Sequence, residues 1–295
     1  MDVMVFVCED SIEGILTGVY DAWAEALSSR LGHAHCRLAV TGRRILRDGT
    51  GNVQGVIGVG DDYSCSTAGD GQGSFEEEYF NLELFCTYRD TPPDAGKAGK
   101  VIRTLRRRLG EEVYECLCYA MASREPDKAE AVYKTIVAGL SMKEGHRTLD
   151  KVIDPYVARC FDLKRNVGSE IHRELEFLRF QELESGVLLA KIHPKNDVLM
   201  YLGPHFSDRL PLENFLIYDI SRRKALFHER EKDWYMMDAL ELDGEMAGRI
   251  STKEEYYQDL FRTFCRTIAI ESRENRALQR QFLPLYYRDL MPEFQ

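Results

Sequence analysis

No Cys-x-x-Cys pair occurs anywhere in this chain, although eight cysteines are spread along it. That spacing excludes a zinc ribbon, a thioredoxin-type redox site and a clustered iron–sulfur ligand set. In a reducing compartment, cysteines placed this way are expected to be small buried apolar residues. No apolar run approaches the length of a membrane span. The opening residues MDVMVFVCED lack the basic segment of a secretory signal, so a cytoplasmic protein is expected. No Gly-Lys-Ser/Thr follows a glycine-rich turn, and no Gly-x-Ser-x-Gly elbow is present, which removes the P-loop and the serine-hydrolase signatures. No motif for a cofactor or a metal is written here, and no repeat of solenoid period appears.

What is present is globular: 295 residues, 44% apolar and 30% charged, with a net charge of −10. An acidic chain gains nothing from non-specific phosphate attraction, so any contact with nucleic acid requires a local basic patch.

Residues 3–8 predict a short buried strand. Asp10 or Ser11 then caps a helix striped by Ile12, Ile15, Leu16, Val19, Tyr20 and Trp23. The glycine-rich stretch 48–74 predicts a loop or loose hairpin, and 79–88 a strand. A helical region follows, in which Val101, Ile102, Leu105, Leu109, Val113, Cys116 and Leu117 form one apolar stripe. Asp127 is expected to cap a second helix and Asp154-Pro155 to open a third. The pattern then changes to period two. Strands at 175–183 and 187–193 flank Glu184-Ser185-Gly186, a helix occupies 196–209, and strands at 215–219 and 225–229 flank a basic turn at Ser221–Lys224. Residues 252–271 predict a strong C-terminal helix. The fold class is therefore α+β: an antiparallel sheet of hairpins, a helical middle region and a C-terminal helix packed on the sheet. The division expected is 1–165 and 166–295.

Several residue groups bear on chemistry. Gly55, Gly58 and Gly60 have the wrong order for a dinucleotide fingerprint, and Asp61 and Asp62 would repel phosphate. His33, His35 and Cys36 could ligate a metal, but nothing nearby supplies a matching pair, and the two histidines are expected at the surface. Arg103, Arg106 and Arg107 share the outward side of a helix, either as a phosphate-binding stripe or as a solvated face paired with Glu111 and Glu112. On a strand, Phe177 and Arg179 share one face, an aromatic beside a guanidinium suited to stacking unpaired bases. On a helix, Glu170 neighbours Arg173, and His172 lies beside Glu176. His205 and Arg209, four residues apart, can address one anionic group, whereas the neighbouring Ser207 and Asp208 cannot form a relay with His205.

In order along the chain stand Glu13-Gly14-Ile15-Leu16-Thr17, Glu170-Ile171-His172-Arg173 leading into Phe177-Leu178-Arg179-Phe180, Pro204-His205-Phe206-Ser207-Asp208-Arg209, Ile217-Tyr218-Asp219 and Gln279-Arg280-Gln281-Phe282-Leu283-Pro284. With these pieces the chain resembles a bacterial family of DNA-repair or DNA-metabolism proteins of unsettled biochemical role. Its members are typically encoded beside a radical-SAM protein with helix-hairpin-helix features, and some relatives carry a uracil-DNA-glycosylase-like domain. The glycine-rich 48–74 segment is an elaboration, and Glu176 stands where the family pattern has a glycine. No glycosylase-like extension is present, so that activity is not implied.

The resemblance implies a factor that binds DNA, single-stranded or damaged, together with a radical-SAM partner. Arg103, Arg106, Arg107, Arg173, Phe177, Arg179 and Arg209 are the expected nucleic-acid contacts. The rival expectation is a stand-alone enzyme on nucleic acid or a nucleobase, with His172 and His205 as catalytic candidates in a His/Arg-lined pocket. A non-catalytic interaction scaffold is the third.

Overall fold

The computed structural model describes residues 3–41, 45–47, 53–56, 86–238 and 249–294. The chain divides into two compact units, Met1–Val167 and Gly168–Gln295.

In the first unit β1 (Val3–Cys8) runs into α1 (Ile12–Ser28), as the short apolar run and the helical stripe predict. Ser11 is the cap: its hydroxyl accepts a 3.0 Å bond from the Gly14 amide, satisfying one of the orphan N–H groups of the first turn. Helix α1 returns the chain to β2 (Cys36–Val40), parallel to β1, and β5 (Cys86–Thr91) joins the other side of β1, also parallel. The period-two readings gave no sign of this all-parallel sheet, because its central strand is a continuous apolar run. A short antiparallel pair, β3 (Ile45–Arg47) with β4 (Val53–Val56), falls within the glycine-rich region. Most of that region, including Gly58, Gly60, Asp61 and Asp62, lies outside the described residues, as does most of the strand expected at 79–88.

The stripe from Val101 to Leu117 belongs to two helices, α2 (Ala95–Leu109) and α3 (Glu111–Ala122). They part at Gly110, whose φ of 89° and ψ of 169° lie in a region open to glycine alone. Leu105, Leu109, Val113 and Leu117 still enter one core, with Phe6, Ile15, Leu16 and Leu38 from the sheet side. Helix α4 (Lys128–Leu140) adds Val132, Tyr133 and Ile136. Asp127 precedes α4 but does not cap it. Its backbone is already helical and its carboxylate takes both nitrogens of Arg159, at 2.7 and 2.9 Å, an ion pair in place of a cap. Asp154, by contrast, does open α5 (Pro155–Phe177), accepting from the amides of Tyr156 and Val157.

In the second unit five strands among the described residues form one mixed sheet. Strand β6 (Phe180–Glu182) pairs antiparallel with β7 (Leu188–Ile192) across a turn closed at Gly186, φ 78°. Residues 175–177 are the last turn of α5 and not strand, so the first hairpin is shorter than its sequence pattern suggests. Strands β8 (Phe215–Asp219) and β9 (Lys224–His228) form the second hairpin, and β10 (Tyr235–Met237) completes the edge. Between the hairpins the chain crosses through α6 (Leu199–Arg209), so β7 and β8 are parallel, the one parallel joint in this sheet. One face carries Leu189, Leu216, Tyr218 and Ala225. On the other, Phe180 meets Phe206 and Phe215 edge-on at 5.2 and 5.5 Å.

The C-terminal helix α7 (Thr252–Thr267) starts from a Ser251 cap and is tied to β6, where Glu254 accepts from the Glu182 amide. Of its own residues only Gln258 is buried, while Tyr256, Tyr257, Leu260, Phe261 and Phe264 are exposed. The aromatic stripe that identifies the helix therefore faces solvent. Helices α8 (Arg276–Phe282) and α9 (Leu285–Arg288) close the chain.

Candidate functional site

Two places concentrate chemistry. The first is the outer face of α2. Leu105 and Leu109 point into the core, which leaves Lys100, Arg103 and Arg107 on the opposite side with spacings of three and four residues. Among the described residues no carboxylate reaches Arg103, Arg107 or Arg108. Arg106 alone pairs with an acid, Glu111 at 3.2 Å, and lies over the Tyr114 ring. Of the two acids offered as neutralising partners, Glu111 answers for one arginine of four.

The second is in the Gly168–Gln295 unit, at the carboxyl ends of β7 and β8, where Ile192 and Asp219 are register partners. The two strands run parallel and are joined through α6, so both carboxyl ends lie on the same side of the sheet. Against it α5 sets Glu170 and Glu174, which are 7% and 3% exposed. Glu170 is fully engaged, receiving the amides of Lys195 and Asn196 at 2.8 Å and the Asn196 side chain at 2.7 Å. It thus fixes the loop after β7 and does not pair with Arg173. Asp219, wholly buried, accepts from the amides of Ser221 and Arg222 and from the Arg222 guanidinium, which also donates to the carbonyls of Pro194 and Lys195. Burial still holds the Asp219 carboxyl above its ordinary range, against the pull of Arg222.

Glu174 differs from both. No hydrogen-bond donor among the described residues meets its carboxyl. Burial first, and then the charges of Glu170 and Asp219, push it up to about 8, so the group is a neutral acid at pH 7. Tyr286 and Tyr287 lie close enough to feel its charge, and each carries a further ring. Tyr286 packs edge-on against His193 at 4.1 Å and against Tyr287 at 5.5 Å, and Phe177 meets Tyr287 at 5.2 Å. Burial and the same carboxylates raise the Tyr286 phenol to about 12 and that of Tyr287 further still.

The expected contact residues divide between these places and open surface. Arg173 lies near the Tyr287 phenol and opposes the rise in its pKa, and Phe177 packs on the same ring, so these two come together beside the carboxylates. Arg179 is drawn away to Glu293 at 3.0 Å. With Phe177 ending a helix and Arg179 following it, the two do not form a stacking platform on a strand. His172 is exposed and bonded to Glu176 at 3.1 Å, one helical turn on. His205 is exposed against the Phe206 ring, and Arg209 is exposed at the end of α6. No contact joins any two of His172, Arg173, Arg179, His205 and Arg209 among the described residues. Of the two histidines expected at the surface of the first unit, one is buried and the other half-buried. His35 is buried and bonded to the Gly32 carbonyl, and His33 packs on Trp23 and bonds the Tyr133 hydroxyl at 2.7 Å. Among the described residues no three His, Cys, Asp or Glu side chains are grouped to hold a metal.

Residues 126–293, more than half of the chain, match a family described only as a domain of unknown function, DUF4130. The chain belongs to the DUF4130 family. No curated protein matches it. The DUF4130 match takes in α4, α5, the five-stranded sheet and the tyrosines near the C-terminus, and hence the whole of the Glu174 site, while α2 lies before it. No helix among the described residues is long and apolar enough to cross a membrane.

Sequence patterning placed Glu170 on the helix only as a neighbour of Arg173 and missed Glu174, because the stripe was sought among apolar residues alone. Continued at helical spacing through Val157, Cys160, Leu163 and Val167, the same stripe reaches Glu170, Ile171 and Glu174, all buried. Carboxylates on the inward face of a helix are the signal that was available.

Proposed function

We propose that this chain is a DNA-metabolism factor that holds the phosphate backbone of single-stranded or damaged DNA on the outer face of α2 and works with a radical-SAM protein. The observation that carries the reading is the row Lys100, Arg103 and Arg107. Arg103 and Arg107 have no carboxylate partner among the described residues, and Lys100, which leans over the Tyr20 ring and feels Asp94, extends the row, on a molecule of net charge −10. Among the described residues Arg106 is the one arginine of this helix paired with an acid. Unpaired cations in a row are what phosphate contact requires, and binding then proceeds by release of counterions from the strand. The resemblance supplies the partner. The exposed aromatic and aliphatic residues of α7 support it, since an apolar face of that extent is typical of a protein-binding surface.

Fluorescence anisotropy with a single-stranded oligonucleotide tests the reading. Three phosphate contacts give a log–log salt slope of roughly −2 on single strands. Arg103→Ala with Arg107→Ala lowers the affinity and flattens the slope by about 1.4. A wild-type affinity indifferent to salt, or a double variant that binds like wild type, overturns the nucleic-acid contact. Failure of the neighbouring radical-SAM protein to co-purify with the full chain overturns the partnership.

A further inference from the structure

We infer that the carboxyl ends of β7 and β8 form a second site, with Glu174 as its hydrogen-bonding anchor and Tyr286, Tyr287 and His193 as its walls. It takes a planar nitrogen heterocycle that presents a hydrogen-bond donor beside an acceptor, the edge of a nucleobase.

The inference starts from an imbalance between two carboxylates one turn apart on α5. Glu170 has three donors; Glu174, at 3% exposure, has none among the described residues. Its carboxyl oxygens are not among the sealed side-chain atoms that lack a partner, so they keep a little contact with solvent and stand where a ligand can reach them. The groups around it decide what that ligand is. From α5 itself come Glu170 and, through Tyr287, Arg173. From the strand ends come Asp219 with Arg222, from the loop after β7 His193 and Lys195, and from the C-terminal segment Tyr286 and Tyr287. Each charged acid among these already has its donors, so the site has no spare negative charge for a metal or a strong cation. Glu174 is the exception, and as a neutral acid it offers an O–H donor and a C=O acceptor on adjacent oxygens. That pair is complementary to a ring nitrogen or carbonyl flanked by an N–H. The rings add stacking and edge contacts to a flat ligand. Tyr286 is 37% exposed where Tyr287 is 9%, which makes the Tyr286 side the entrance.

The site is independent of the α2 contact, and its test is separate. Calorimetry on the full chain with free adenine and free cytosine as probes, and caffeine as the control, reads it directly; caffeine is equally flat but has no N–H beside an acceptor. Adenine and cytosine bind at pH 7 and caffeine does not. Raising the pH past about 8 ionises Glu174, removes its donor and weakens binding tenfold per unit. Glu174→Gln keeps a donor beside an acceptor, so it binds at pH 7 as wild type does and loses the pH dependence. Glu174→Leu binds at least tenfold more weakly, and the Gln variant shows that any such loss is not one of folding. Absence of binding by both bases at millimolar concentration, equal binding of caffeine, or wild-type affinity in the Leu variant overturns the inference. Arg103→Ala with Arg107→Ala leaves base binding unchanged, so the two readings fail separately.

Discussion

Glu170 and Glu174 occupy the same face of α5 and have opposite energetics. Glu170→Ala strips a partner from the Lys195 amide and from the buried amide and side chain of Asn196, and unsatisfied buried donors cost about 1–3 kcal/mol. Glu174→Leu removes a buried acid that has no donor to lose, so stability is unchanged or raised. Denaturant unfolding of the two variants beside wild type checks the contrast, and equal losses would refute it. The Glu174 proton gives a second signature. Its folded-state value of about 8 lies above the ordinary 4.5, so the folded chain holds a proton the unfolded chain has released. The stabilisation is complete below about pH 4.5 and is lost as pH rises toward 8, at up to about 1.4 kcal/mol per pH unit. Glu174→Gln lacks this slope, so the difference between variant and wild type traces it free of other titrating groups. None of this was legible from residue type alone. A glutamate reads as solvated until the stripe it continues is followed to its end.

Elements were legible where local chemistry decides them. β1 was read to the residue, α1 begins at a serine whose hydroxyl caps it, and the hairpins turn at Gly186 and at Arg223, a non-glycine residue with φ 54°. Elements were misread where tertiary contacts override the local signal. Asp127 has the composition of a cap, yet Arg159 claims its carboxylate from a helix distant in sequence. Leu175, Phe177 and Arg179 alternate like a strand, but the helix continues through Phe177 because Ile171 and Glu174 are already buried on its inner face. The break between α2 and α3 was hidden by a stripe that keeps its phase across Gly110. That glycine carries a sharp prediction. A Cβ there has room, its nearest neighbour being the His146 Cβ at 3.8 Å, so Gly110→Ala fails through backbone strain and not collision. The expected loss is about 1–3 kcal/mol by chemical denaturation. A neutral result would mean that the two helices join without the unusual φ.

At the scale of the whole molecule, the two units differ in how they are held together. The first centres on a parallel sheet and four helices with one continuous apolar core, and the second on a mixed sheet whose interior is laced by Phe180, Phe206 and Phe215. Their separate cores predict separate unfolding, with α5 running across the division the only element common to both. The chain has two tryptophans, and the division places one in each unit: Trp23 on α1 and Trp234 just before β10. In a Trp234→Phe background the emission of Trp23 follows the first unit, and in a Trp23→Phe background that of Trp234 follows the second. Gly110→Ala then lowers the midpoint reported by Trp23 and leaves that of Trp234 in place, while Glu170→Ala does the reverse. If each substitution moves both midpoints together, α5 transmits stability across the division, and the chain unfolds as one cooperative body.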